Sequence, residues 1–347
     1  MAAHSRPLDL TPLNTFRVAA KASQAWTVSD PASLDAVLDA ATSAGHGRPP
    51  FVLAGGSNLL LTRDIDEPLL LVRLAGRRLL DDDGTRVLVE VAAGEPWHPV
   101  VRWTLDQGWS GLENLALIPG LAGAAPWQNI GAYGVEVASV IESVSAVEIA
   151  TGRKRSFGLA ECRFAYRDSF FRSPAGRGWL ITAVRLRLSR AARPQLDYGE
   201  LRAEIARRAG HDAGRPTPLE VADAVEAIRR RKLPDPAAIG NAGSFFKNPV
   251  VPRAQAEALL GRHPTLPTYA VAGDAARVKL SAGWLIEQAG WRGYREGDAG
   301  VSAAHALVLV NHGRATGAQL LALARRVQDA VQERFGVALE PEPVIVE

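Results

Sequence analysis

The run Ile-Pro-Gly-Leu-Ala-Gly-Ala-Ala-Pro-Trp-Gln-Asn-Ile-Gly-Ala-Tyr-Gly, residues 118–134, restricts the fold of this chain more than any other stretch. It contains two Gly-x-x-Gly segments that begin 11 residues apart, at Gly120 and Gly131. Glycine lets a ligand approach the backbone closely, and the amides of Gln128 and Asn129 offer hydrogen bonds. The run therefore suits a flat or extended ligand that lies against the main chain.

Another glycine-rich turn, Ala-Gly-Gly-Ser-Asn at residues 54–58, follows a predicted strand at Phe51–Leu53. In chain order, the first loop is therefore residues 54–58, the second is 118–123 and the third is 128–134. Its consecutive N–H groups can form a nest for a phosphate, although an ordinary turn can have the same sequence. The turn has neither the Lys of a P-loop nor the Gly-x-Gly-x-x-Gly pattern, so neither common nucleotide motif applies. The three loops together predict a large cofactor that resembles a dinucleotide.

The hydrophobic pattern around these loops predicts an α+β protein of two or three domains. Strands are predicted at Trp26–Val28, Phe51–Leu53, Leu69–Val72, Val87–Val91, Val140–Ile149, Trp179–Leu188 and Ala306–Val310. Helices are predicted from Asp30-Pro31, at Trp97–Leu105, from a capping box at Thr217–Glu220, near Pro252–Leu260, at Ala282–Gln288 and at Gly317–Phe335. Leu-Pro-Asp-Pro at Leu233–Pro236 predicts a domain boundary.

Composition excludes several classes of protein. The 347 residues carry 40 Lys and Arg and 37 Asp and Glu, and the net charge of +3 is too small for a nucleic-acid coat. No signal peptide and no apolar run near the roughly 20 residues of a membrane span is found. Cys162 is the only cysteine, which predicts a buried thiol in a reducing compartment. We therefore expect a cytoplasmic protein, and no metal site, because the seven histidines lack metal-binding spacings.

The run Asn241–Pro249 concentrates polar groups around two aromatic residues. It places a hydroxyl at Ser244, a cation at Lys247 and amides at Asn241 and Asn248. Phe245 and Phe246 between them can form the wall of a substrate site or belong to a core beside a hairpin edge. The local sequence favours neither alternative.

Three charged segments allow both a functional and a structural interpretation. Arg167 can hold a carboxylate with its planar guanidinium, or it can pair with Asp168. The run Arg229–Lys232 can bind a diphosphate, or it can be a solvated helix end that the helix dipole favours. Leu339–Pro343 holds two carboxylates in a proline-stiffened segment, although acidic tails are common.

Taken together, the motifs resemble the UDP-N-acetylenolpyruvoylglucosamine reductases, the flavoenzymes of bacterial peptidoglycan synthesis. The resemblance covers nearly the whole chain. It rests on Asn14–Phe16, Ala54–Asn58, Gly111–Asn114, Ile118–Gly120, Gln128–Glu136, Glu161–Ser169, Leu233–Pro236, Asn241–Pro249, Ala282–Ile286 and Leu339–Glu342. Tyr198-Gly199 is similar to the segment that carries a substrate-covering tyrosine in the longer type of the family.

The resemblance implies an FAD-binding fold of the vanillyl-alcohol-oxidase type in two subdomains, followed by a C-terminal α/β substrate domain. The expected first subdomain is residues 1–75 completed by 337–347, the second is 76–232, and the substrate-binding domain is 233–336. The implied cofactor contacts are Ala54, Gly55, Gly56, Ser57, Asn58, Ile118, Pro119, Gly120, Gly123, Gln128, Asn129, Gly131, Ala132, Tyr133 and Gly134. The first loop lacks the histidine that tethers flavin in some relatives, so the FAD is expected to be non-covalent.

The resemblance also implies the roles of residues in the reaction. Arg167, Ser244 and Glu342 match the catalytic trio, with Ser244 as the proton donor. The substrate-binding positions match Tyr198, Arg229, Lys232, Asn248 and His305, although His305 stands where some members have Gln. Hydride addition to an enolpyruvyl ether leaves negative charge beside the carboxylate, and a cation and a hydrogen-bond donor would stabilise that charge.

We therefore expect a monomeric, NADPH-dependent flavoenzyme that reduces the enolpyruvyl ether of UDP-N-acetylglucosamine to UDP-N-acetylmuramate. One alternative is a flavin-dependent alcohol or lactone oxidase with the same cofactor fold, which would not need Ser244 as an acid. Another alternative is a non-catalytic nucleotide-sugar binding protein, which would not need the trio.

Overall fold

A computed structural model of the protein describes residues 5–209, 215–271 and 273–347. Residues 1–4, part of the N-terminal segment considered above for a signal peptide, lie outside this range. The chain divides into two compact units. The first contains the residues up to Leu8, Ala22–Gly55 and Ile65–Arg231, and the second contains Asp9–Lys21, Gly56–Asp64 and Lys232–Glu347. The finer division into three parts stays a prediction.

Helices and strands are mixed along the chain, as the α+β pattern predicts. The strands are β1 (Arg6–Asp9), β2 (Lys21–Val28), β3 (Phe51–Leu53), β4 (Leu59–Leu61), β5 (Leu69–Val72), β6 (Arg77–Asp82), β7 (Arg86–Ala92), β8 (Gly131–Ala132), β9 (Val135–Glu136), β10 (Ile141–Glu148), β11 (Lys154–Gly158), β12 (Trp179–Ser189), β13 (Val250–Pro252), β14 (Thr268–Ala270), β15 (Arg277–Leu280), β16 (Arg295–Glu296), β17 (Ala299–Val301), β18 (Leu309–Asn311) and β19 (Val344–Val346). The helices are α1 (Leu34–Ala44), α2 (Trp97–Asp106), α3 (Ala124–Trp127), α4 (Leu201–Ala209), α5 (Pro218–Lys232), α6 (Arg253–Arg262), α7 (Ala282–Gln288) and α8 (Gly317–Phe335).

A small sheet with the order β1-β2-β5-β3 begins the first unit. Strands β2 and β3 both run parallel to β5, whose four residues are all buried, as the unbroken Leu-Leu-Leu-Val run requires. Helix α1 starts at Leu34 and not at Asp30-Pro31, because the Asp30 carboxylate accepts the N–H of Ala32 and forms a turn there. Strand β3 leads directly into the Ala54 turn.

An antiparallel sheet with the order β11-β10-β12-β7-β6 forms the larger part of the first unit. The strand predicted at Val87–Val91 lies within β7, whose alternate residues Val87, Val89 and Val91 are buried. The two long predicted strands pair with each other, with Val144 of β10 opposite Val184 of β12. This sheet is the base on which the helices of the unit pack.

Helices α2 and α5 belong to the same hydrophobic core as this sheet. The N-terminus of α5 has the predicted capping box: the Glu220 carboxylate accepts the Thr217 N–H at 2.7 Å, and the Thr217 hydroxyl accepts the Glu220 N–H at 3.2 Å. Helix α5 buries Val221, Val225 and Ile228, so its last turn is attached to the core of the first unit.

The second unit contains two three-stranded sheets, β13-β15-β14 and β16-β17-β18, and the parallel pair of β4 and β19. Helix α8 has the predicted bounds, Gly317–Phe335; it begins with a capping box at Thr316, and Gly336 ends it in the left-handed region. The strand predicted at Ala306–Val310 is instead β18, because the N–H of Val308 bonds the His305 carbonyl oxygen at 3.0 Å and forms a turn.

The core of the second unit answers the question about the Phe pair. Phe245 and Phe246 are 0% and 1% exposed, and their rings contact each other edge to face at 5.1 Å. Phe245 also contacts Phe16 at 6.1 Å. The pair therefore lies in a core, and the interpretation as a substrate wall is wrong.

Among the described residues, no helix is long and apolar enough to cross a lipid bilayer.

Candidate active site

The first two predicted cofactor loops meet within the first unit. A Cβ atom added to Gly55 would lie 3.1 Å from the Cα of Gly120, so the two backbones are almost in contact. A Cβ added to Gly123 would lie 2.6 Å from the Cβ of Ala93, which only glycine avoids. The two loops therefore form a surface without side chains, of the kind that a pyrophosphate bound through backbone N–H groups requires.

The remainder of the first loop belongs to the second unit. Gly56 has a φ of +60°, and its carbonyl oxygen accepts the Thr15 N–H at 3.1 Å. Asn58 Nδ2 donates to the carbonyl oxygen of Glu342 at 3.3 Å. The side chain of Asn58 thus links the end of this loop to the segment that carries a predicted catalytic carboxylate.

The third loop is a short hairpin of β8 and β9, fixed by the buried side chain of Asn129. Asn129 Nδ2 donates to Glu136 Oε2 at 2.8 Å and to the Ala165 carbonyl oxygen at 3.0 Å, and its Oδ1 accepts the Ala138 N–H at 3.1 Å. These bonds use both donors and one of the two acceptor positions of the amide to hold the hairpin. The side chain of Asn129 therefore fixes the conformation of the third loop, in addition to any contact with a cofactor.

Backbone strain is concentrated around these loops. Among the described non-glycine residues, seven have a positive φ, and four of them belong to the predicted site or adjoin its loops: Leu117, Asn129, Tyr133 and Arg167. A left-handed conformation costs about 1–2 kcal/mol for a residue with a Cβ. Such strain persists where the surroundings enforce it, most often at functional sites.

Arg167 lies against the third loop. Its Nη2 donates to the carbonyl oxygen of Gly131 at 3.0 Å, and a Cβ on Gly131 would lie 3.1 Å from its Nη1. The Asp168 carboxylate accepts the Ser169 N–H at 2.9 Å and lies 3.9 Å from Arg172 Nε. The structure therefore joins the Arg167 guanidinium to the loop, and joins Asp168 to its own turn.

Arg229 adds a second guanidinium to the same place. Its Nε is buried and has no hydrogen-bond partner among the residues that the structure describes. Burial lowers the pKa of Arg229, and its ionisable neighbours are Tyr133, which favours the charged form, and Arg167, which disfavours it. A guanidinium keeps its proton even so. Two cations in one partly buried place suit an anionic ligand.

The other basic residues of the helix end have structural partners. Arg230 pairs with Glu226 at 2.9 Å, and Arg231 pairs with Glu200 at 3.0 Å and with Glu204 at 3.2 Å. Both arginines are exposed. The residues of the run therefore differ in their surroundings, because Arg229 lies near Tyr133 and Arg167, whereas Arg230 and Arg231 form ion pairs.

Tyr198 covers the third loop in this structure. Its ring contacts the ring of Tyr133 edge to face at 6.0 Å, and it is 41% exposed. Burial raises the pKa of Tyr133. Asn114 Nδ2 donates to the carbonyl oxygens of Tyr133 at 3.0 Å and Gln195 at 2.8 Å. One buried amide thus fixes both the loop and the segment that leads to Tyr198.

Ser244 and Glu342 lie on paired segments of the second unit. The Glu342 N–H donates to the Phe245 carbonyl oxygen at 2.8 Å, and the Lys247 N–H donates to the Glu340 carbonyl oxygen at 2.9 Å. Lys247 Nζ also lies 2.5 Å from Glu340 Oε1. The acidic segment is therefore a fixed part of the second unit and not a loose tail, and the Glu340 carboxylate has Lys247 as a partner.

The three remaining predicted substrate residues also belong to the second unit. Asn248 Oδ1 accepts the N–H of Ala282, the first residue of α7, at 2.9 Å. A Cβ on Gly283 would lie 3.7 Å from His305 Cε1. Burial lowers the pKa of His305, and the nearby charges of Lys232 and Arg292 lower it further. His305 is therefore neutral near pH 7, with Lys232 in its electrostatic surroundings.

Sequence reasoning overlooked three residues that support the site. Arg73 Nη1 donates to the carbonyl oxygen of Ala54 at 3.2 Å, and Asn114 and Glu136 hold the third loop as described above. The only sequence signal for Arg73 is its place directly after the buried strand β5. Asn114 and Glu136 lie inside motifs of the family resemblance, but nothing local distinguishes a side chain that fixes a loop from one that binds a ligand.

Comparison with known proteins gives a consistent result over both units. Residues 235–346 match the model of the UDP-N-acetylenolpyruvoylglucosamine reductase C-terminal domain, and residues 26–158 match that of an FAD binding domain. The UDP-N-acetylenolpyruvoylglucosamine reductase of Chromobacterium violaceum is 56% identical, with 98% of each chain covered. That of Pseudomonas putida is 52% identical, with 97% of each covered.

A solved structure agrees with this result. The UDP-N-acetylenolpyruvylglucosamine reductase of Thermus caldophilus matches with a TM-score of 0.67 and 28% identity, over 99% of this chain and 100% of that one. The curated relatives are matched over nearly their full lengths at more than half identity. The chain belongs to the UDP-N-acetylenolpyruvoylglucosamine reductase family.

Proposed function

We propose that this protein is an NADPH-dependent, FAD-containing reductase that converts the enolpyruvyl ether of UDP-N-acetylglucosamine to UDP-N-acetylmuramate for peptidoglycan synthesis. Membership of the reductase family supports this proposal, because the similarity to the Chromobacterium violaceum reductase covers 98% of this chain. The observation that carries it furthest is the pair of guanidiniums, Arg167 and Arg229, beside the third glycine-rich loop. The substrate has two anionic parts, a carboxylate and a diphosphate, and cations are the groups that hold such parts.

The residues present fit a bound FAD. The contact of Gly55 with Gly120 and the close approach of Gly123 to Ala93 leave bare backbone for the pyrophosphate, and Arg73 supports the Ala54 carbonyl group. We assign the three loops, from Ala54, Ile118 and Gln128 onward, to cofactor binding, and we expect the FAD to be non-covalent. When bound, FAD accepts hydride from NADPH and supplies it to the terminal vinyl carbon of the substrate.

The chain's own groups supply the remainder of the chemistry. We assign Arg167 to the substrate carboxylate, where it would stabilise the negative charge that hydride addition leaves beside that carboxylate. The Ser244 hydroxyl would then give its proton to the carbon that bears the carboxylate, which completes the saturation of the double bond. Protonated Glu342 would donate a hydrogen bond to the enolate. Arg167 belongs to the first unit, and Ser244 and Glu342 belong to the second.

Substrate binding is assigned to residues of both units. We propose that Arg229 and Lys232 contact the diphosphate and that Tyr198 covers the bound substrate. Asn248 and His305 would contact the remainder of the nucleotide sugar, with neutral His305 as a hydrogen-bonding group in place of the Gln of some relatives. We further propose that the protein acts as a cytoplasmic monomer without nucleic-acid or membrane partners, and that it has the three-part division given above.

Anaerobic stopped-flow absorbance tests the proposal. The purified protein should be yellow, NADPH should bleach it, and the enolpyruvyl substrate should restore the colour without oxygen. Heat or acid should release all the flavin from the polypeptide. Recolouring by air alone would instead indicate an oxidase, and a colourless protein that binds the UDP-sugar would indicate a binding protein.

The same experiment tests Ser244 as the proton donor. Ser244→Ala should be bleached by NADPH at nearly the normal rate, because that half-reaction needs no proton from Ser244. Recolouring by substrate should slow by about 10²–10⁴-fold, the usual contribution of a positioned general acid. Equal losses in both half-reactions, or no loss in the second, would remove Ser244 from this role.

A further inference from the structure

We propose that His98 is a positioning residue for flavin binding: its imidazole connects the residue before the second glycine-rich loop to helix α5. The inference rests on the proposed cofactor role of Ile118–Gly123. His98 is the second residue of helix α2 and lies outside every motif considered above. Its two ring nitrogens face two different parts of the first unit.

The first contact holds a strained residue. The N–H of Leu117 donates to His98 Nδ1 at 3.0 Å. Leu117 has a φ of +58° and directly precedes Ile118. A left-handed leucine is unfavourable by about 1–2 kcal/mol, so a hydrogen bond from its own N–H is a direct means of maintaining that conformation. The direction in which the chain enters the loop therefore depends on an acceptor at the Nδ1 position.

The second contact reaches helix α5. His98 Nε2 lies 3.4 Å from Oε1 of Glu226, which is 7% exposed. Because Nδ1 accepts a hydrogen bond, the proton of the neutral ring is on Nε2, where it points to a carboxylate. Glu226 precedes Arg229 by one helical turn and also pairs with Arg230. The imidazole thus connects the strained residue before the loop to the helix that carries a proposed substrate cation.

The surrounding charges decide which form of His98 is present. Burial lowers the pKa of His98, and the cations Arg102 on its own helix and Arg229 and Arg230 on α5 lower it further, while Glu226 opposes them. The ring is therefore neutral at pH 7. Protonation would place an N–H on Nδ1 against the N–H of Leu117, so the hydrogen bond should be lost as the pH falls below the ordinary histidine value of about 6.5.

Two amide variants separate the two ring nitrogens. In His98→Asn, the side-chain oxygen can occupy the place of Nδ1, so the acceptor for Leu117 is kept but cannot be protonated. In His98→Gln, the longer amide reaches toward Glu226 and the acceptor is lost. His46→Asn is the matched control, because His46 is exposed and its ring contacts the Ala44 carbonyl group of its own turn.

The measurement is the FAD dissociation constant of diluted holoprotein, followed by the recovery of free flavin fluorescence between pH 8 and pH 5. At pH 7.5, His98→Gln should bind FAD about 10- to 100-fold more weakly, because the Leu117 N–H loses its acceptor. His98→Asn should stay within about threefold of the wild type, by the same reasoning. Wild-type affinity should fall more steeply toward pH 5 than that of His98→Asn.

Hydrogen exchange supplies a readout that does not depend on activity. Amides of the segment around Leu117 should exchange faster in His98→Gln than in the wild type, and at the wild-type rate in His98→Asn. The inference is overturned if His98→Gln binds FAD normally at pH 7.5, or if the wild type and His98→Asn have the same pH dependence. A wild-type protein that binds no FAD at any pH would instead reject the proposed function, which keeps the two failures distinct.

Discussion

Arg229 differs from its neighbours on the same helix end in what surrounds it. Its Nε is buried without a hydrogen-bond partner among the described residues, near Arg167 and Tyr133. Arg231, two positions later, is exposed and paired with Glu200 and Glu204. Because a helix rotates by about 100° per residue, a run of identical charges faces several directions. One position of the run can therefore bind a ligand while the next stabilises the surface.

This difference predicts unequal effects of the same substitution. Arg229→Lys should raise the Michaelis constant for the UDP-sugar by about tenfold or more, because an ammonium cannot reproduce the planar, multiply donating guanidinium. Arg231→Lys, the matched control, should change it less than about threefold, because lysine keeps the positive charge opposite Glu200 and Glu204 and Arg231 is assigned no substrate contact. Steady-state kinetics at fixed NADPH measures both. Equal effects of the two substitutions on the Michaelis constant would show that Arg229 does not contact the substrate.

At the scale of elements, the first glycine-rich turn is determined by close contacts of the backbone. A Cβ added to Gly56 would lie 1.9 Å from the carbonyl oxygen of Leu13, and Gly56 itself has a φ of +60°. The turn therefore needs glycine for two independent reasons, conformation and space. Leu13, Thr15 and Gly56 all belong to the second unit, and the Thr15 N–H donates to the Gly56 carbonyl oxygen.

Gly56→Ala should consequently lower the free energy of unfolding more than an alanine substitution at a glycine that has a positive φ but free space around its Cβ position. Gly336 has a φ of +66° but open space around its Cβ position, so Gly336→Ala should cost about 1–2 kcal/mol from conformation alone. Gly56→Ala should lower the denaturation midpoint more, because the Leu13 backbone must also move. Urea denaturation followed by tryptophan fluorescence compares them; similar shifts would mean that the turn relaxes easily.

At the scale of the whole molecule, each unit has its own hydrophobic core. The core of the first unit includes Val144, Trp97 and Cys162, and that of the second includes Phe16, Phe245 and Leu320. Arg167 belongs to the first unit, whereas Ser244 and Glu342 belong to the second. Each core therefore supports the proposed catalytic residues of its own unit.

The single cysteine reports on the opening of the first core. Burial raises the pKa of the Cys162 thiol to about 12, so only about one molecule in ten thousand carries the reactive thiolate at pH 8. Native protein should react with a disulfide reagent very slowly at pH 8, and the rate should rise with urea. Absorbance of the released thiol measures this. Rapid reaction without urea would show that the first core opens readily.

Helix caps and strands were predictable where a few neighbouring residues encode them. The capping box at Thr217 is encoded within four residues and forms as predicted. The structure shows a second capping box, at Thr316, which was not predicted from the sequence. The alternation at Val140–Ile149 and Trp179–Leu188 also indicated an antiparallel sheet correctly, because β10 and β12 pair antiparallel. Strand β18 was misplaced, because apolar residues before Leu309 resemble a strand although a backbone turn at His305 interrupts it.

The sequence by itself determined the family, the long strands β10 and β12, the helices α2, α7 and α8, and the loops in which glycine leaves bare backbone, since each of these depends on patterns of residues close together in the chain. Only the tertiary structure decided that Phe245 lies in a core, that Arg229 differs from Arg231, and that His98 contacts both Leu117 and Glu226. The physical reason is that burial, charge and hydrogen-bond partners come from segments far apart in the chain, and no local pattern records which segments will meet.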